Sequence, residues 1–95
     1  MDKKDIILKL RDIKPLLHEK YGVTELALFG SYSRGEQTPQ SDIDIMVDTN
    51  VPHGFSFLNI IYELDALFDK EVQVISKGAI KPKYFASIKP DLIYV

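Results

Sequence analysis

The sequence predicts an α/β fold of the α+β kind: one small mixed β-sheet with helices packed on it, in a single domain spanning residues 1–95. Three observations carry this. Apolar residues recur at helical spacing through Ile6, Leu10, Ile13 and Leu17, and again through Phe57, Ile61, Leu64 and Phe68. Three short runs, Glu25–Phe29, Ser41–Asp48 and Glu71–Ser76, have the length and apolar content of strands and alternate with the helical segments. A chain of 95 residues that is 45% hydrophobic and 27% charged has the composition of a globular domain with one core.

Taken in order, Asp2–Tyr21 reads as helical. Pro15 interrupts it, because proline lacks an N–H and disfavours helix at Lys14. The expectation is a kink, or two short helices with the second capped by Asp12. Gly22 supplies a C-terminal stop. Glu25–Phe29 is a short buried strand ending at Gly30. Ser31–Gly35 has the look of a helical turn, and Glu36–Gln40 is a polar loop with Pro39. Ser41–Asp48 alternates Asp42, Asp44 and Met46 with Ile43, Ile45 and Val47, which gives a strand with one apolar and one partly acidic face. Val51–Gly54 reads as a loop with Pro52. The helix Phe55–Phe68 has its stripe widened by Leu58 and Leu67. After the strand at Glu71–Ser76 come a short helix beginning near Pro82 and an extended apolar end, Asp91–Val95, that suits an edge strand.

Charge and composition narrow the function classes. Net charge is −2, from 12 basic and 14 acidic residues, with no basic run or stripe. That argues against a polynucleotide partner but says little of a single nucleotide, whose charge a metal ion can carry. The absence of cysteine excludes disulfides, thiolate metal sites and a cysteine nucleophile. No apolar run reaches the length of a membrane span, and Met1–Asp5 lacks the apolar region of a signal peptide, so the expected location is the cytoplasm. A core this small leaves room for a partner surface or a bound ligand to add stability, as a homo- or hetero-oligomer.

The chemistry-bearing stretch is Leu28-Phe29-Gly30-Ser31-Tyr32-Ser33-Arg34-Gly35, followed by Ser41-Asp42-Ile43-Asp44-Ile45. On a strand, residues i and i+2 share a face about 6–7 Å apart. Two carboxylates held so close repel unless a cation lies between them, and oxygen donors without histidine or cysteine suit Mg²⁺ or Mn²⁺. Taken alone, Asp42 and Asp44 could equally be an exposed strand face. Gly30 permits a sharp turn and close approach of backbone to a ligand. Beside it the N–H groups opening a helix, with the Ser31 hydroxyl, attract phosphate; a serine here also serves as a plain helix N-cap. Arg34, one helical turn after Ser31, can reach a phosphate, or pair with Glu36 or with a carboxylate of the site.

The joint pattern is more specific than its parts. Gly30-Ser31, ten intervening residues, then Asp42-x-Asp44 on a second strand resembles the signature of the polymerase-beta-type nucleotidyltransferase superfamily. Phe29, Arg34, Gly35, Ser41, Ile43 and Asp48 further resemble its minimal nucleotidyltransferase (MNT) branch, and the likeness extends over most of the chain. The resemblance implies a polymerase-beta-like fold, two Mg²⁺ ions on Asp42 and Asp44, ATP as the nucleotide substrate, and phosphates held by Gly30, Ser31 and Arg34. It implies transfer of AMP to a hydroxyl of a partner, and it implies the partner: a helical HEPN protein, the toxin of a pair in which the MNT protein is the antitoxin.

The sequence departs from that pattern once. The superfamily uses a third carboxylate on a later strand, and the matching stretch here is Val72-Gln73-Val74-Ile75, with Gln73 where the acid is expected. Glu71, two residues earlier, either compensates or is a solvated strand-end residue, and its type favours solvent. The alternative function is therefore a catalytically weak nucleotide-binding module that neutralises its partner by contact. Core packing is the expected role for Tyr62, Tyr84, Phe85 and Tyr94, and a solvated face for Lys77, Lys81, Lys83 and Lys89. His18 stands isolated, and His53, expected to be exposed, is assigned no role.

Overall fold

The protein is described by a computed structural model over residues 1–50 and 55–95. The loop read at Val51–Gly54, with Pro52 and His53, lies outside the described residues. Helix α1 (Lys3–Tyr21) leads into strand β1 (Val23–Phe29), the one-turn helix α2 (Gly30–Arg34) and strand β2 (Ile43–Thr49). Helix α3 (Phe55–Phe68), strand β3 (Val72–Ser76), helix α4 (Pro82–Ile88) and the two-residue strand β4 (Ile93–Tyr94) complete the order, with short 3₁₀ turns at Lys77–Ala79 and Lys89–Asp91. The expected sequence of elements holds, with the C-terminal residues forming the edge strand.

The sheet runs β3-β2-β1-β4, with β2 antiparallel to β1 and parallel to β3, and β4 antiparallel to β1. It is a mixed sheet, as the sequence predicts. Strand alternation sorts side chains onto two faces. Leu26, Leu28, Ile43, Ile45 and Val47 pack with Ile6, Leu10 and Leu17 of α1 and Ile60, Leu64 and Phe68 of α3. On the other face Ala27, Phe29 and Met46 form a smaller cluster with Ile88, flanked by Ile75, Phe85 and Leu92. Helices α1 and α3 thus cover one face, and α4 with the last 3₁₀ turn covers the middle of the other.

Of the two expectations at Pro15, the division into two short helices does not hold: α1 is one helix from Lys3 to Tyr21, and Asp12 is not a cap. Its N-terminus is fixed instead by a capping box, in which Asp5 N–H donates to Asp2 Oδ1 (2.9 Å) and Asp2 N–H donates to Asp5 Oδ2 (3.3 Å). Fully buried side chains lie on both sides of the proline, Leu10 before it and Leu17 after, so packing spans the weak point. Pro15 and Arg11, whose carbonyl loses its helical partner, are both exposed, so that carbonyl lies on the solvent side. Gly22 ends the helix in left-handed conformation (φ 72°), as read from the sequence.

Other readings need correction. In α3 the fully buried stripe is Ile60, Leu64 and Phe68, whereas Leu58 is 51% exposed. An apolar run of this density fits two helical registers, and contact with α1 selects the one through Ile60. Tyr62, Tyr84 and Tyr94 are exposed rather than core residues. Lys77 is not simply solvated, since its Nζ donates to Glu25 Oε2 at 2.7 Å. No helix among the described residues is long and apolar enough to cross a membrane.

An interior proline costs about 3 kcal/mol relative to alanine in a helix, and proline's stiffening of the unfolded chain offsets part of this. Pro15→Ala should therefore raise stability by roughly 1–2 kcal/mol in denaturant unfolding. A lowered midpoint would show that the helix depends on the proline.

Candidate functional site

Sheet register assembles the site. Asp44 is paired with Phe29 of β1 on one side and with Gln73 of β3 on the other, so the three share one face at the end of the sheet. Gly30 directly follows Phe29 and is therefore delivered beside Asp44. It holds φ at 77°, a conformation that L side chains rarely adopt. A Cβ there would overlap Asp44 Oδ2 and lie 3.0 Å from its Cγ. Only glycine lets the turn into α2 pass this close to the carboxylate.

Of the two aspartates, only Asp44 belongs to the strand, because β2 begins at Ile43. Asp42 sits one residue ahead, at the end of the loop whose Thr38 N–H donates to Ser41 Oγ (2.9 Å) and whose Ser41 N–H donates to Thr38 C=O (3.0 Å). Lys70 Nζ donates to Pro39 C=O (3.1 Å) and ties that loop to the end of α3. Asp42 and Asp44 are both half-buried. Burial pushes the Asp44 carboxyl above the usual aspartate range, the charge of Asp42 pushes it further, and Arg34 opposes the shift. The pair is thus a site of negative charge that Arg34 offsets only in part.

Ser31 is half-buried at the second position of α2. The N-cap is Phe29, which makes no side-chain cap, so the reading of Ser31 as a cap does not hold. Gly35 closes α2 in left-handed conformation (φ 71°), as expected. Arg34 pairs twice: Nε donates to Glu36 Oε1 at 2.7 Å, as one of the sequence alternatives has it, and one terminal nitrogen donates to Asp91 Oδ2 at 2.6 Å. These bonds, that to Glu36 first, raise the guanidinium pKa. Ser33, buried beside it, donates its hydroxyl proton to the Asp91 carbonyl. Asp91 escaped the sequence reading because it lies 57 residues from Arg34 with no local signal.

The donor set fits a hard divalent cation. It consists of two repelling carboxylates, the amide of Gln73 in register with one of them, and a glycine whose backbone packs directly against that carboxylate. Among the described residues, no three histidine, cysteine, aspartate or glutamate side chains come together to hold a metal. Glu71 is exposed and precedes β3, in keeping with the solvated reading. A cation here would need to complete its coordination with phosphate oxygens and water, which is the habit of Mg²⁺.

The family profile for the nucleotidyltransferase domain matches residues 10–95. A protein of Methanocaldococcus jannaschii, provisionally named as a protein adenylyltransferase, is 47% identical over 90 residues, which is 90% of this chain and 90% of that one. Protein adenylyltransferase MntA of Thermococcus cleftensis is 35% identical over 83 residues, or 86% of this chain and 84% of its own. Among solved structures, a minimal nucleotidyltransferase superposes with a TM-score of 0.82 at 21% identity, covering 98% of this chain and 95% of that one. A toxin–antitoxin solved with AMP-PNP matches at 0.59 and 27% identity, over 85% of this chain and 61% of that one. The complex of a tri-AMPylated Shewanella oneidensis HEPN toxin with an MNT antitoxin matches at 0.61 and 20%, over 97% and 66%.

Two outcomes follow from the geometry. A carboxyl raised in the folded chain keeps its proton to higher pH than in the unfolded chain, so stability falls as pH rises from the ordinary value of 3.8 through the folded one. Asp44→Asn should accordingly raise the thermal midpoint at neutral pH, with the gain shrinking as pH falls below 3.8. Gly30→Ala combines a left-handed alanine, costing about 1–2 kcal/mol, with a clash against Asp44, and should lower the midpoint measurably in the same scan.

Proposed function

The chain belongs to the nucleotidyltransferase domain family, and on that footing we propose that it is a protein adenylyltransferase of the minimal type, acting as the antitoxin of a HEPN-type toxin. The observation that carries the reading is Gly30 packed against the Asp44 carboxyl beside Asp42, which sets the backbone opening α2 next to a cation-seeking pair. Its relatives support the rest: a protein adenylyltransferase, a toxin–antitoxin solved with AMP-PNP, and a HEPN toxin carrying AMP in complex with an MNT antitoxin.

In this reading Asp42 and Asp44 would hold Mg²⁺, two ions in all, together with the triphosphate of ATP, and the bound metal would supply charge neutralisation for the transfer. Gly30 leaves room for a phosphate to approach the backbone, the Ser31 hydroxyl donates to it, and Arg34 faces it with a fixed positive charge. The oxygen of the acceptor hydroxyl bonds to the α-phosphorus while the bond from that phosphorus to the bridging oxygen breaks. Pyrophosphate leaves, and the hydroxyl proton passes to solvent. The protein's part is positioned charge, which a small domain can provide.

A second reading is favoured by one specific observation: Gln73 lies in register with Asp44, where the family places its third acid. An amide oxygen brings no charge, so Gln73 would hold a cation less firmly than a carboxylate at that position. The chain would then bind Mg-ATP but transfer slowly, and neutralise its partner largely by contact.

Both readings are tested by incubating the protein with ATP, Mg²⁺ and its helical partner and weighing the partner by mass spectrometry. Transfer predicts an added AMP mass that Asp42→Asn and Asp44→Asn each abolish. Gln73→Asp should speed labelled-AMP transfer by about tenfold or more, the equivalent of 1.4 kcal/mol at the transition state. Brisk wild-type transfer that this substitution leaves unchanged would remove the case for a weakened site. Neutralisation that survives loss of both aspartates would assign it to contact.

A further inference from the structure

The C-terminal 3₁₀ turn Lys89–Asp91 is attached to the phosphate-side helix more firmly than edge packing requires. Its Asp91 carboxylate binds the Arg34 guanidinium at 2.6 Å, while the Ser33 hydroxyl binds the Asp91 carbonyl from the same one-turn helix. The turn is itself seated on the sheet. Ile88 before it and Leu92 after it pack with Ala27, Phe29 and Met46, on the face that carries Asp44. Asp91 is thus fixed at its main chain and through its neighbours, and it presents an immobile acceptor to Arg34.

The two carboxylates on Arg34 are not equivalent. The Glu36 side chain is 64% exposed and only two residues away, whereas that of Asp91 is 21% exposed and anchored by the fold. An exposed, sequence-local pair gains little and orders little, so the shielded partner decides where the guanidinium points. The two bonds use two of the five N–H donors of an arginine, leaving others for a phosphate oxygen. Arg34 ends the one-turn helix that Gly30 opens against the Asp44 carboxyl, which sets it at the proposed nucleotide site rather than off to one side.

We propose that Asp91 is a positioning residue for nucleotide binding: it aims Arg34 at the phosphates, and the C-terminal turn thereby sets the affinity for Mg-ATP. The inference rests on the reading of Arg34 as a phosphate contact. An arginine already held in place loses less freedom when the nucleotide arrives, so affinity rises without any contact between Asp91 and the ligand.

The experiment is calorimetric titration of Mg-ATP into the full chain carrying Asp91→Ala, Asp91→Glu, Arg34→Ala, or the Arg34→Ala/Asp91→Ala pair. Asp91→Ala should weaken binding by about tenfold, and Asp91→Glu should recover most of the loss. In the Arg34→Ala background, Asp91→Ala should change affinity less than about twofold, because its effect passes through the missing guanidinium. A merely structural Asp91 would lower the thermal midpoint yet leave affinity unchanged, or would cost the same in both backgrounds; either result overturns the proposal. Asp91→Asn keeps the shape without the charge. Should the alanine variant not fold, several-fold weaker binding by Asp91→Asn supports the proposal and unchanged binding overturns it. A wild type that binds no Mg-ATP overturns the parent reading and this one with it. A wild type that binds while its Asp91 variants bind equally well overturns this one alone.

Discussion

Register between β1 and β2 is the constraint from which the site follows. Phe29 stands opposite Asp44, so the residue after Phe29 must pass directly over that carboxyl, and the chain makes the passage with a glycine in left-handed conformation. A slip of one residue would turn Asp44 toward the helix-covered face and send Ile43 and Ile45 into water, at a cost of several buried side chains. The core therefore protects the chemistry. The apolar side of β2 locks the register, and the register fixes the relation of Gly30 to Asp44.

The ten residues between Gly30-Ser31 and Asp42-x-Asp44 gain meaning from this pairing. They hold one helical turn closed by Gly35 and a polar loop knotted by Thr38 and Ser41, and so return the chain antiparallel to itself. The sheet fixes Asp44, while Asp42 rides on the loop end. Their mutual repulsion is consequently sustained by two separate devices, a strand and a turn. Removing charge from the pair would relieve strain in the free protein even as it removed the proposed capacity to hold a cation, the common conflict between stability and function at such sites.

Much of this was legible in the sequence because it is periodic or local. The stripe of α1, the alternation of β2, the stops at Gly22 and Gly35 and the edge strand at the end follow from spacing and residue type, and the Gly-Ser to Asp-x-Asp interval pointed to the family. The misreadings arose where tertiary contacts override local preference. Packing on both sides of Pro15 keeps α1 whole, contact with α1 selects Ile60 over Leu58 in α3, and exposed tyrosines occupy positions that composition assigns to a core. Arg34 stayed open among phosphate, Glu36 and a site carboxylate for a related reason. Its second partner, Asp91, is brought close only by the C-terminal turn returning over the sheet.

The same sheet face carries a second acidic grouping at its opposite end, where Glu25 lies in register with Asp48. There Lys77 bonds to Glu25 and also feels Asp48, and its ammonium lies 5.7 Å from the ring centre of Phe85. At the Gly30 end the neighbouring cation, Arg34, is already committed to Glu36 and Asp91. One lysine faces two acids at that end, whereas at the Gly30 end one arginine faces Glu36, Asp91 and the pair Asp42 and Asp44. The potential is therefore more negative toward the Gly30 end, which would favour the approach of a free small cation there before any specific contact forms.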